Sequence, residues 1–171
     1  MTKAEMTKLF AAMSLIYRHD KMFSAGVEAL KPTIELWTAA LPDISFELGQ
    51  RALMRLIRTC KYPPTPAELA ESAESIREEI KARCLREEQN IRFYYAYADE
   101  DIDLCIGYLP DGATRKAIER IGGADKLLVR ADKGNSFWNW DAFEKAYAEI
   151  CLSGGAALPE TKATALPAKK G

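Results

Sequence analysis

The chain holds a single histidine, His19, among its 171 residues, and that scarcity removes most metal and acid/base chemistry at the outset. Its four cysteines (Cys60, Cys84, Cys105 and Cys151) are far apart, with no Cys-x-x-Cys pair and no histidine beside any of them. A zinc site would need thiolates gathered from distant elements, so the expectation is reduced thiols on helix faces and no metal ligand. No apolar run approaches the ~20 residues of a membrane span. Residues 9–17 are apolar, but no small-residue cleavage site follows and their periodicity is that of an amphipathic helix, not a signal peptide. Formal net charge is −1, so no global basic field exists to hold a nucleic-acid backbone, and direct DNA binding is expected to be weak or absent. Phosphate-loop spacing is missing as well. Gly122-Gly123-Ala124-Asp125-Lys126 has the wrong interval and no hydroxyl residue after the lysine. Neither His-Glu-x-x-His nor Gly-x-Ser-x-Gly occurs. These gaps predict a cytoplasmic binding protein with no catalytic residue, cofactor or metal, rather than an enzyme.

What is present is a helical pattern. Hydrophobic residues make up 48% of the chain and charged residues 29%, a balance that buries a core and keeps the surface soluble. The length suits one domain, or two small helical lobes joined by a long helix. The predicted class is all-α: an N-terminal bundle over 1–65, a connecting helix over 66–98, a C-terminal lobe over 99–152 and a disordered tail over 153–171. Charge is uneven along this plan, residues 76–110 carrying five basic and eight acidic side chains.

Thr2 and Glu5 make a capping box for the first helix, whose face is Met6, Leu9, Phe10, Met13, Ile16 and Tyr17. Residues 22–31 include Gly26 and read as a short turn, after which Pro32 suits the first turn of a helix with Ile34, Leu36, Trp37, Ala40 and Leu41 as its stripe. Asp43 or Ser45 caps a third helix reaching about Lys61, with Phe46, Leu48, Ala52, Leu53, Leu56 and Ile57 inward and Arg51, Arg55 and Arg58 as an outer ridge. That ridge reads as a solvated face covering its neighbours. A phosphate contact is the other reading.

The junction Lys61-Tyr62-Pro63-Pro64-Thr65-Pro66 is the clearest landmark. Neither Pro63 nor Pro64 fits a helix interior, and each pushes its predecessor out of the α region. Thr65, Pro66 and Glu68 then supply a cap, a first-turn proline and a capping-box acid. Tyr62 is expected to pack back onto the bundle. From Pro66 the helical pattern runs to about Ala98, about 50 Å at about 1.5 Å per residue. Its narrow stripe is Leu69, Ala73, Ile76, Ile80, Cys84 or Leu85, Ile91, Tyr94 and Tyr95, unless a break near Arg92 folds the aromatic run away. Glu78, Glu79, Glu87 and Glu88 read as surface acids.

Residues 99–103 form a charged connector, and 104–109 fit helix or strand. Asp111 can cap a helix over 112–121 that stops at Gly122-Gly123, and a short helix over 124–131 follows. Phe137, Trp138, Trp140, Phe143 and Tyr147 mark a last helix ending near Cys151 and the core of the C-terminal lobe.

Trp37, Leu41, Ala52, Leu56, Ile57 and the run Lys61-Tyr62-Pro63-Pro64-Thr65-Pro66-Ala67-Glu68-Leu69, together with the opening Met1-Thr2-Lys3-x-Glu5 helix, resemble the phage-encoded loader and inhibitor proteins of replicative DNA helicases. The resemblance covers about residues 2–75. It implies a protein that binds a DnaB-type hexameric helicase in the bacterial host cytoplasm and restrains its ATPase and unwinding. It also implies delivery of the helicase to the origin, with an origin initiator or single-strand-binding protein as a further partner. In that family the segment after the helical domain is short, largely disordered and involved in helicase contact, whereas here it is long and patterned as folded. Trp37, Lys61, Tyr62, Pro63, Pro64, Thr65 and Glu68 therefore stand as scaffold residues of the family motif. The residues that would touch a partner are sought after them: Arg77, Lys81, Arg83 and Arg86 on the long helix, and Trp138 or Trp140 in the C-terminal lobe. Two other classes remain open at this point. The arginine ridge and the helices around Gly122-Gly123 fit a DNA-binding accessory or regulatory protein, and the long helix fits a self-associating phage structural component.

Overall fold

A computed structural model describes residues 1–24, 27–110, 112–130 and 135–153, side chains at 27 and 28 excepted. The tail, the Gly26 turn and the Asp111 cap expected from the sequence lie outside those residues. Among them the chain is all-α, with nine helices and one two-stranded ribbon. It divides into two compact units, Met1–Glu78 and Glu79–Gly171, and one helix runs through the division.

In the first unit α1 (Lys3–Ile16) begins on the predicted box: the Thr2 hydroxyl accepts from the Glu5 N–H, and the Glu5 carboxylate accepts from the Thr2 N–H at 2.8 Å. α2 (Lys21–Ser24) is a single turn, and α3 (Val27–Ala40) starts one turn earlier than predicted. Pro32 consequently lies inside α3, where its missing N–H leaves one rung of the ladder unmade. α4 (Phe46–Ile57) is capped by Ser45 and ends in a tight turn at Cys60, short of Lys61. α1 packs on α3 and α4, and the core is Met6, Leu9, Phe10, Met13, Ile34, Trp37, Leu41, Leu48, Ala52 and Leu53. Leu36 and Ile16 were expected on these faces but are exposed, because each buried stripe is narrower than the set of apolar residues around it. The first turns of α5 (Pro66–Tyr97) close this unit. Leu69 and Ala73 are buried, and the Ser72 hydroxyl donates to the Ala52 carbonyl.

In the second unit α5 continues without a break past Arg92 and presents Ile80, Cys84, Glu87, Ile91 and Tyr94 as its buried line. Steps of four and three residues keep these on one face. Asp99 and Glu100 then take left-handed conformations, with φ of 51° and 64°, and reverse the chain into α6 (Ile102–Tyr108). Asp101 caps α6 by accepting from the Leu104 N–H, so the ambiguous 104–109 stretch is helix. α7 (Gly112–Arg120) packs on α9 (Trp140–Ser153), the largest helix pairing in this unit. Gly122 and Gly123, both at positive φ, make the turn between α7 and α8 (Ala124–Leu127), a conformation for which glycine has no steric penalty.

The single helix expected over 124–131 is corrected. Helix ends at Leu127, and β1 (Leu128–Arg130) pairs antiparallel with β2 (Ser136–Trp138) in the register Leu128↔Trp138. The β-branched and aromatic residues there gain more by cross-strand pairing than as a short helix end. Phe137 and Trp138 thus belong to a strand, and the last helix begins at Trp140.

Candidate partner-binding surfaces

The strap that follows α4 is fixed at both ends. The Tyr17 hydroxyl donates to the Cys60 carbonyl at 3.1 Å, and burial pushes that phenol above its ordinary pKa. At the other end the Glu68 carboxylate accepts from the Thr65 N–H at 2.7 Å and from the Thr65 hydroxyl at 2.8 Å, while the Glu68 N–H donates back to that hydroxyl oxygen. The Thr65 backbone donor is the main reason the Glu68 carboxyl lies below the usual range. Pro64 is buried between these anchors and Pro63 half-buried. Tyr62 is 67% exposed, contrary to the expectation that its ring packs on the bundle. Two stiff prolines carry the chain past the core before an aromatic ring can turn back, and the Lys61 Nζ lies 5.7 Å from the ring centroid. Trp37 is a core residue, edge-on to Phe10 at 5.1 Å.

Of the long-helix cations, Arg77 is engaged within the first unit: it pairs with Glu74 at 3.0 Å and donates to the Asp43 carbonyl, tying α5 to the α3–α4 loop. Lys81 and Arg86 are exposed and Arg83 is half-buried. Arg55 of the α4 ridge donates to the Ser75 hydroxyl at 3.4 Å, so that ridge braces α5.

In the second unit the sequence underestimated two features. Trp138 and Trp140 stack face to face, 4.8 Å apart and 8° from parallel. The Arg92 guanidinium lies 4.8 Å from the Trp140 centroid and 6.0 Å from that of Trp138, with the Tyr95 ring edge-on to Trp138 at 5.2 Å. Asn139 holds the strand-to-helix corner by donating from its backbone to Leu127 and from its side chain to Lys126. Both tryptophans are half-buried, and the Trp140 indole nitrogen is buried with no hydrogen-bond partner among the described residues. Sequence spacing marked the tryptophans, but nothing in it marked Arg92 as their cover.

The second feature corrects a surface acid. Glu87 is 2% exposed and accepts from the Thr114 hydroxyl of α7 at 3.0 Å. Its neighbour Glu88 stays partly accessible, and burial with Glu144 nearby raises its carboxyl above the usual range. Burial also raises the Cys84 thiol to about 12 and the Cys105 thiol to about 11, so both are protonated and unreactive at neutral pH. The helical position of Glu87, between Cys84 and Ile91, was the available signal.

With this geometry in place, comparison with known proteins bears on the first unit. Residues 1–70 match the family model for the N-terminal domain of the gene-thirty-nine product of phages. That product is a phage helicase loader and inhibitor, which agrees with the resemblance read from the junction residues. The match spans α1 to the start of α5 and includes the whole strap. No curated protein and no solved structure matches the chain. Among the described residues, no helix is long and apolar enough to cross a membrane.

Proposed function

We propose that this chain is a phage or prophage DNA-replication accessory protein that acts by binding, not by catalysis, in the cytoplasm of a bacterial host. It binds a DnaB-type hexameric helicase, restrains its ATPase and unwinding, and helps load it at the origin. An origin initiator or a single-strand-binding protein would be the point of delivery. The observation that carries this reading is the match of residues 1–70 to the N-terminal domain of the helicase loader and inhibitor family. Its strap is consistent with a scaffold role: Thr65, Glu68 and Pro64 are occupied in holding α4 and α5. The contact residues we assign lie beyond it. Lys81 and Arg86 offer exposed charge on α5, and the Arg92-covered Trp138–Trp140 stack offers a rigid aromatic face. The nearly balanced charge of the chain favours a protein partner over DNA.

The reading is tested by titrating the full chain into an ATPase assay of a DnaB-type helicase. The expected result is a fall in turnover that saturates with added protein. Unchanged turnover at saturating protein would remove the restraint part of the proposal.

A further inference from the structure

A second surface, away from the tryptophan stack, carries apolar groups and one sign of charge. Phe93 and Tyr97 lie one turn apart on α5, and Leu104 and Tyr108 lie one turn apart on α6. Phe93 is 54% exposed and Leu104 47%, while the Tyr97 and Tyr108 rings meet at 5.7 Å. Tyr94 is the buried floor, 5.5 Å from Phe93 and 6.2 Å from Tyr108. The reversal between the two helices places Asp99, Glu100, Asp101 and Asp103 beside this patch, and all four are exposed. The neighbouring cation, Arg115, is occupied by the Gly107 carbonyl at 2.8 Å, at the far end of α6.

Such a surface fits a segment that is both apolar and basic, and this chain contains one. Residues 154–171, outside the described part, carry Leu158-Pro159-x-x-Lys162 and, eight residues on, Leu166-Pro167-x-x-Lys170. With Lys169 the segment has three lysines against one acid, Glu160. It follows directly on Ser153 at the end of α9, in the same unit as the patch. Cys151, two residues earlier, is close enough to Cys84 for their charges to interact. Phe93 lies nine residues beyond Cys84, about 13.5 Å along the helix at about 1.5 Å per residue. At about 3.3 Å per residue, Leu158 and Leu166 can reach up to about 17 and 43 Å from Ser153. A short tether also holds its end at an effective concentration in the millimolar range, so a contact too weak to retain a free peptide is filled.

We infer that residues 154–171 dock on the Phe93–Tyr97–Leu104–Tyr108 patch of their own chain, leucines on the rings and lysines on the 99–103 carboxylates. The tail is then a competitor that any protein using this face must displace. The inference does not depend on the helicase reading. It is tested on the full chain by a nitroxide placed through Thr164→Cys in a Cys60→Ser background, the other three thiols being buried. At low salt the Leu104 methyl resonances should broaden, independently of protein concentration. The broadening should at least halve in roughly 1 M salt, where the Debye length is about 3 Å, and in the K162E/K169E/K170E variant. A Leu104→Glu variant, surface-placed, should restore free-segment shifts at Leu158 and Leu166. Unbroadened Leu104 signals, or broadening unaffected by charge reversal, would overturn the inference. Broadening that grows with protein concentration would replace it by docking between copies.

Discussion

At the scale of single residues, the informative positions are polar groups in apolar places. Glu87 takes a turn of the α5 stripe that an aliphatic residue would ordinarily hold, and Thr114 of α7 is a buried donor to it. Removing that donor while keeping shape leaves a buried carboxylate one hydrogen bond short, so Thr114→Val should cost about 1–3 kcal/mol in urea unfolding. Glu88 shows the opposite case. Burial and Glu144 raise its pKa in the folded chain, so its contribution is most favourable below the ordinary carboxylate range and is lost as pH rises through the raised value. Glu88→Gln should therefore raise the melting temperature at pH 7 and leave it nearly unchanged at pH 4. An equal gain at both pH values would disprove the assignment. Sequence spacing alone cannot distinguish such positions, because Glu87 and Glu88 are adjacent identical residues that differ only in which side of the helix finds α7.

At the scale of elements, termini were legible because their chemistry is local. Thr2–Glu5 and Thr65–Glu68 bond as their spacing predicts, and α5 runs its expected length. Thr65→Ala should cost about 1 kcal/mol in thermal or urea unfolding, as N-cap removal commonly does. It would do so without changing the helix content seen by circular dichroism. A loss below a few tenths would mean that the prolines hold the turn without the cap. The ribbon of β1 and β2 was not legible. Leu128–Arg130 and Ser136–Trp138 are three residues each, too short for alternation to declare itself, and the pairing forms across a connection that sequence pattern does not mark as a hairpin. Tyr62 was misjudged for a related reason: aromatic character favours burial on average, but the backbone direction set by Pro63 and Pro64 decides where the ring can go.

At the scale of the whole molecule, the Met1–Glu78 unit carries the family match and the Glu79–Gly171 unit carries the surfaces we assign to partners. The strap ties itself to its own unit through Tyr17–Cys60 and Thr65–Glu68, leaving Lys61 and Tyr62 as its exposed part. Long-range contacts between the Trp138–Trp140 stack, Arg92 and Tyr95 could not be inferred from composition, since they join a strand, a helix start and the end of α5. The central claim is that this molecule is an adaptor for a hexameric replicative helicase. Its most direct test is size-exclusion chromatography of the full chain with a DnaB-type helicase and ATP. The account predicts that the two elute together as a complex larger than the helicase alone; separate elution with every cognate helicase tried, at micromolar concentrations, would contradict it.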